Sequence, residues 1–544
     1  MITRISFTKF AGVAISISLV ASCSGSSVKD SRDLAPAGAH PLAPIDVTQL
    51  TLTSIRTGYQ RGNFTARKVV QAYLDRISTY EPAYNAFTFL NPNALDQADA
   101  IDRKRSANQP LGPLAGVPIV IKESMDFVGF PSTAGWRLLS SRTGGVDLFP
   151  TRNAIVVQRL IDADAIILGK SNIPAFSDDG TRANSSWAGP TYNAVDRALA
   201  PGASSSGTAT AVEGSFALIG LGEETGGSIQ NPSAAQSLVG IKPTFGLVPS
   251  TGVVPLAGTT RDTVGPIATN VRDAAVVLDV IAGASAADPK TAGANAHIPA
   301  GGYTSRLSTT ALQGKRIGLY GPGWRSVALS AETTTLYARA VDELSARGAI
   351  TVDDPFAGSG FAGLALPNAP YDYRGTESAA YDFTTYLHGL GVPSIDALKQ
   401  RIGASPFDPG QPLYWYVETL PTLAASLRNP DVPPNLDDFY RLRTGYLSIF
   451  NQVVQTNRLD ALVFPEATQA IPALFSNDVI SETTVSAIDI AGLPVVTVPG
   501  GQYANGAPFS LIFVGPQWSE ATLLAFAYDY EQATHHRIIP RLTH

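Results

Sequence analysis

Residues 201–232, PGASSSGTATAVEGSFALIGLGEETGGSIQNP, place a serine cluster, Ser204 to Ser206, ahead of an apolar run and close a Gly-Gly-Ser on Ser228. Small residues at this density seldom serve packing alone. Glycine admits strained backbone conformations and close approach to a ligand, and consecutive backbone N–H groups in such a loop can converge on a developing negative charge. The segment therefore predicts a serine nucleophile beside an oxyanion-binding loop. A serine hydroxyl also needs a base. The chain has 6 histidines, His40, His297, His388, His535, His536 and His544. His388 is the candidate among them, because such triads are recognised by geometry and not by sequence position. No G-x-S-x-G elbow surrounds a serine that would suit it. The alternative base is a lysine brought toward neutrality by burial. Lys122 ends the apolar run VPIVIK, a setting that desolvates an ammonium. A strand-end lysine can also snorkel to solvent, but the Gly-Ser segment favours the catalytic reading.

These residues need elements to hold them. Residues 117–121 (VPIVI) form a β-branched run bounded by Gly116 and Lys122, a buried strand by its pattern. Thr65 reads as an N-cap before Val69, Val70, Tyr73 and Ile77 on one helical face. A helix over 154–163 and a strand over 165–168 follow. Later strands are predicted at 459–464, 494–498 and 510–514, with a closing amphipathic helix over 519–534. Strands alternating with helices argue for an α/β sheet covered on both faces. Between about 285 and 458 the chain gains Pro-rich turns and aromatics (Tyr371, Tyr373, Tyr381, Phe383, Tyr386, Trp415, Tyr416), expected mainly as core and loop packing. Asp178-Asp179 reads as a solvated turn, and 318–323 (GLYGPG) as a turn without a dinucleotide fingerprint.

Composition narrows the class. Only 15% of the 544 residues are charged and the net charge is −6, which argues against a nucleic-acid partner. Arg4 and Lys9 precede an apolar stretch from Phe10 to Val20, followed by Ala21-Ser22-Cys23. This pattern predicts an export signal over 1–22, with Val20-Ala21-Ser22-Cys23 resembling a bacterial lipobox. A flexible Ser/Ala/Pro-rich tether over 23–45 would follow, and a catalytic domain over 46–544. The expected location is outside the cytoplasm on the periplasmic side, lipid-anchored at Cys23, with the outer membrane favoured. The membrane is expected as a partner only through that anchor. Cys23 is the sole cysteine, so neither an internal disulfide nor a thiolate zinc site is possible.

The motifs together resemble the amidase signature hydrolases. The likeness runs through Gly112-Pro113-Leu114-Ala115-Gly116-Val117-Pro118-Ile119-Val120-Ile121-Lys122-Glu123, Ile167-Leu168-Gly169-Lys170-Ser171-Asn172, the 201–232 segment and Val239-Gly240-Ile241-Lys242-Pro243-Thr244. It resumes at Ala491-Gly492-Leu493-Pro494 and Glu520 to Thr534, and is weak between about 290 and 455. The resemblance implies one large α/β domain whose mixed, mostly buried central sheet is covered by helices on both faces. It implies a Ser-cisSer-Lys triad: Ser228 as acylated nucleophile, Ser204 as bridging residue after a cis Ala203–Ser204 peptide, and Lys122 as base. Backbone N–H groups of Thr225, Gly226, Gly227 and Ser228 would form the oxyanion hole, and Ser205 would orient Lys122. No cofactor or metal is implied.

The implied reaction is amide C–N hydrolysis through an acyl-serine. Details of the Ser-Ser-Ser and Glu-Thr-x-Gly-Ser segments point to bacterial peptide amidases acting on C-terminal peptide amides. The partner would be a small-molecule or peptide amide; oligomeric state is left open. Glu224 and Gln230 depart from the family's usual Asp and Arg and are expected to reshape the site floor. The region 290–455 is expected to shape the substrate site. The alternatives are an esterase or carbamate hydrolase with the same triad, or a noncatalytic surface binding protein. A glutamine-dependent transamidation role is set aside because it does not fit export.

Overall fold

Short apolar runs interleaved with helices build one mixed sheet of eleven strands among the described residues, 45–366 and 371–544 of this computed structural model. The strands are β1 (Phe87–Leu90), β2 (Pro118–Lys122), β3 (Ile166–Ser171), β4 (Ile219–Glu224), β5 (Val239–Lys242) and β6 (Thr263–Ala268). They continue as β7 (Arg316–Leu319), β8 (Ile350–Val352), β9 (Ala461–Pro465), β10 (Val495–Gln502) and β11 (Pro508–Val514). Their spatial order is β1-β3-β2-β4-β6-β5-β10-β11-β9-β7-β8. β2 runs parallel to both β3 and β4, β7 runs parallel to β8 and β9, and the remaining pairs are antiparallel. The described residues belong to one unit, Pro44–His544.

Every residue of β2, β3, β4, β5, β6, β9 and β11 is buried. Burial on both faces is what near-continuous apolar strands require, and it agrees with the α/β sandwich expected from the sequence. The predicted elements at 117–121, 154–163, 165–168, 459–464, 494–498, 510–514 and 519–534 all form, with ends displaced by a few residues. The Thr65 side chain accepts from Lys68 N at 3.1 Å, and the helix Ala66–Tyr84 buries Val69, Val70, Tyr73 and Ile77. One expectation needs correction. Gly318 and Leu319 of the GLYGPG segment end β7 and do not sit in the turn. A Cβ on Gly318 would stand 2.5 Å from Leu462 Cδ2, so the small residue there serves close packing beside β9.

A second apolar cluster, separate from the core around the β2–β3–β4 end of the sheet, gathers Trp136, Phe176, Phe383, Phe407, Tyr416 and their neighbours. It joins the loop after β3 to the aromatic region 371–416, far away in sequence. The expected signal segment 1–22 and the tether up to residue 44, Cys23 included, lie outside the described residues.

Candidate active site

Parallel strands end on the same side of a sheet, and in open α/β sheets that carboxyl edge is where ligands bind. Here β2 ends in Lys122, β3 in Ser171 and β4 in Glu224. The turn 225–228 follows β4 directly and delivers Ser228 to the start of the short helix Gln230–Ala235. Ser204 arrives from the other side, two residues before the helix Ser206–Glu213. That helix lies close against the neighbouring chain: a Cβ on Gly207 would collide with the Asn172 backbone and Ala86 O. Gly227 has φ +89°, a conformation that L side chains resist, so the turn before Ser228 needs its glycine.

The three residues expected as a triad meet in a hydrogen-bonded row. Lys122 Nζ donates to Ser204 Oγ at 2.8 Å, and Ser204 Oγ donates to Ser228 Oγ at 2.8 Å. The Ala203–Ser204 peptide is cis, the one non-proline cis bond among the described residues. Lys122 is 1% exposed, and burial lowers its pKa, against the opposing pull of Glu223, Asp262 and Glu224. Its other contacts are the Glu223 carbonyl at 2.9 Å and the Glu223 carboxylate at 3.2 Å. Ser205 does not touch the lysine. Its Oγ donates to Glu223 O and accepts from Glu223 N, both at 3.3 Å, so it reaches Lys122 only through the carbonyl they share.

The turn 225–228 is held at both ends. Glu224 Oε2 accepts from Ile229 N at 2.7 Å and Gln230 N at 3.0 Å, while its Oε1 accepts from Gln230 Nε2. The two departures at 224 and 230 therefore bind each other across the turn and fix it, where the sequence had suggested a reshaped floor. Thr225 Oγ1 donates to Asp262 Oδ1 at 2.6 Å. Among the described residues, the N–H groups of Thr225, Gly226, Gly227 and Ser228 have no hydrogen-bond acceptor.

Ser228 opens into a cleft of about 360 Å³, walled by Tyr371, Trp415, Tyr416 and Leu256 with Asp178 and Glu482. Two expectations change here. Asp178 is no solvated turn residue, for Trp415 Nε1 donates to its carboxylate at 3.1 Å and burial pushes it up to about 7. Tyr371, Trp415 and Tyr416 are more than packing, since they face the serine; a Cβ on Gly226 would collide with the Tyr371 ring. His388 is elsewhere, half exposed, with Nε2 3.0 Å from Pro393 O and 3.5 Å from Asp431. Glu223 escaped the sequence reading altogether. No local signal could have found it: with Ile121 opposite Leu221, strand alternation alone would put Lys122 and Glu223 on opposite faces, and only the folded strand ends bring them together.

Comparison with known proteins gives a consistent picture. A family profile described as Amidase matches residues 68–364. The chain is similar to a glutamyl-tRNA(Gln) amidotransferase subunit from Chloroflexus aurantiacus, 32% identical over 516 residues, 91% of this chain and 99% of that one. It is 30% identical to the corresponding protein from Moorella thermoacetica, over 92% of this chain and 99% of that one. Among solved structures it resembles the native peptide amidase of Stenotrophomonas maltophilia, with a TM-score of 0.73, 30% identity and coverage of 91% of this chain and 99% of that one.

These likenesses correct the expected location. Along its length the chain resembles amidotransferase subunits named for glutamyl-tRNA and a peptide amidase, and the composition of a short N-terminal stretch does not outweigh that. The exported, lipid-anchored assignment falls. No described helix is long and apolar enough to cross a membrane. The objection to a transamidation role rested on export and falls with it.

Proposed function

Because the chain belongs to the amidase signature family, whose chemistry is the cleavage of amide C–N bonds, we propose that it is a hydrolase using Ser228 as nucleophile, Ser204 as proton relay and Lys122 as base. The observation that carries this reading is the unbroken row from Lys122 Nζ through Ser204 Oγ to Ser228 Oγ, 2.8 Å at each step, ending at a cleft. With its lysine neutral the row runs in reverse: Lys122 accepts the Ser204 proton, and Ser204 accepts that of Ser228 as its oxygen attacks the carbonyl. The N–H groups of residues 225–228 receive the oxyanion. Ser204 then returns a proton to the leaving nitrogen, and water, deprotonated along the same row, releases the acyl group.

The substrate we propose is a terminal peptide amide or similar uncharged amide. The cleft is walled by aromatic rings, and the charged side chains lining it among the described residues are carboxylic acids, Asp178, Asp179 and Glu482. A substrate with a carboxylate beside the scissile bond would be desolvated among acidic side chains with no lining cation to offset its charge. Arg261 sits behind Tyr371, 5.2 Å from its ring, and donates to the carbonyls of Thr225 and Asp372. A terminal amide presents no such charge. This favours peptide amides over free glutamine, the substrate class that a transamidation role would require.

A fluorophosphonate probe should label the protein and lose its target in Ser228→Ala. A panel of peptide amides, free glutamine and matched esters then ranks substrates by kcat/KM. Absence of labelling in the folded protein would overturn the triad. A preference for free glutamine would overturn the substrate class alone, and a preference for esters would favour the esterase reading.

A further inference from the structure

Beside Lys122 stands a carboxylate that this mechanism does not use. Glu223 Oε2 lies 3.2 Å from Lys122 Nζ, with both side chains about as buried as any in the protein. Ser124 Oγ donates to the same oxygen at 2.9 Å. The Glu223 backbone is pinned as well, its N–H on Ser205 Oγ and its carbonyl under Lys122 Nζ. The carboxyl group borders a second cavity of about 1130 Å³ that shares no lining residue with the Ser228 cleft. The triad thus lies between two spaces, one reached through the nucleophile and the other through Glu223.

We propose that Glu223 is a positioning residue for the base, and that Lys122 and Glu223 hold one transferable proton between them, so that the lysine is freed by passing a proton to the carboxylate and not by losing one to solvent. This rests on the triad reading above. In the step itself an N–H bond of the Lys122 ammonium breaks, its electron pair stays on Nζ, and an O–H bond forms on the Glu223 carboxylate. The pair is neutral overall before and after. Rotation about Cε–Nζ then turns the lone pair to Ser204, while the amine hydrogens keep the Glu223 carbonyl and carboxyl oxygens as acceptors.

Burial favours the uncharged tautomer. A dry ion pair loses the hydration of two charges, which its own attraction offsets only in part. Both groups move accordingly, the lysine down and the carboxyl up, with desolvation the leading cause for each. Other charges act on the pair. Asp262 and Glu224 stand beside Lys122 and favour its charged form, while Asp126, Asp382, Lys290 and Arg443 face the second cavity. That cavity lets the pair equilibrate with water while substrate fills the cleft.

A shared proton has a kinetic signature, because two coupled sites titrate in two macroscopic steps that belong to the pair. The rate of fluorophosphonate labelling of Ser228, followed against pH, should show two steps in the wild type and one in Glu223→Gln. The single step should lie below the upper wild-type step by about a pH unit or more, so that at the midpoint of that wild-type step the variant already stands near its plateau, since no carboxylate then holds the ammonium. A Glu223→Gln profile of unchanged shape, merely scaled down, would overturn the proposal. Ser124→Ala provides a second test that spares the pair. Loss of a donor to the carboxylate should move the upper step, in which the carboxylate forms, to higher pH, and an unmoved upper step counts against the proposal even if the glutamine variant fails to fold. A wild type that does not label at any pH overturns the triad reading, and this inference with it.

Discussion

Ser204 and Ser228, 24 residues apart in the chain, stand with their Oγ atoms 2.8 Å apart, and Ser204 is also the residue that meets Lys122 Nζ. The base therefore has no direct contact with the nucleophile. Any proton that leaves Ser228 for Lys122 must pass through a second hydroxyl, which can hand it on to the leaving group.

Ser204→Ala removes that relay. An amide needs its leaving nitrogen protonated, whereas an ester can expel an alkoxide far more readily. Turnover of an amide should fall by about 10²-fold or more, and that of the matched ester by clearly less. Equal losses on the two substrates would show that Ser204 does not supply the leaving-group proton.

Lys122→Met separates chemistry from stability. Loss of a general base should lower kcat by about 10²–10⁴-fold. Glu223 would then be left without its cation. Removing one partner of a buried pair destabilises by about 3–5 kcal/mol. The Glu223 carboxyl, already raised by burial, rises further in the variant. Its stabilising protonated form is present at low pH and lost as pH rises, so the Tm deficit should widen toward alkaline pH. A deficit that shrinks with rising pH would contradict the pairing.

Asp178 makes a stability prediction of defined sign. Burial raises its carboxyl to about 7 in the folded protein, whereas in the unfolded chain it titrates near 4. The folded state thus favours the protonated form, and stability is lost as pH rises from about 4 through about 7. In Asp178→Asn this loss is absent. The Tm difference between variant and wild type should grow in favour of the variant across that window and level off above it, as thermal melts at three pH values would show.

Gly227→Ala tests the turn. At φ +89° an added Cβ is strained by about 1–2 kcal/mol, and it would stand 3.0 Å from the Asn231 side-chain amide. The strain is local to the N–H groups of residues 225–228, which have no acceptor among the described residues. Fluorophosphonate labelling should slow by about 10²-fold with only a few degrees lost in Tm. Normal labelling would mean that this turn does not hold the oxyanion.

Much of this was written locally. VPIVIK announced a buried strand with a lysine at its end, and that is β2 with Lys122. The Gly-Ser segment marked Ser204 and Ser228, because glycine and serine at such density record what the backbone must do at that point. Other residues were opaque. Asp178 looked like a solvated turn since nothing near it in sequence buries it; Trp415 and Tyr416 do so, 237 residues away in the case of Trp415. Glu224 and Gln230 read as two separate departures until their hydrogen bonds across the turn made them one device.

By itself the sequence singled out Ser228, Ser204 and a buried Lys122, the residues that the structure brings into one hydrogen-bonded row. Each depends on short-range rules of backbone conformation and hydrophobic pattern, which contiguous residues express. Tertiary structure alone decided what surrounds that row: the Glu223 carboxylate beside the base, the acidic and aromatic cleft before the nucleophile, and the second cavity. These depend on desolvation and on contacts between strands and loops distant in sequence, and burial of a charge is a property of the packed whole that no single segment encodes.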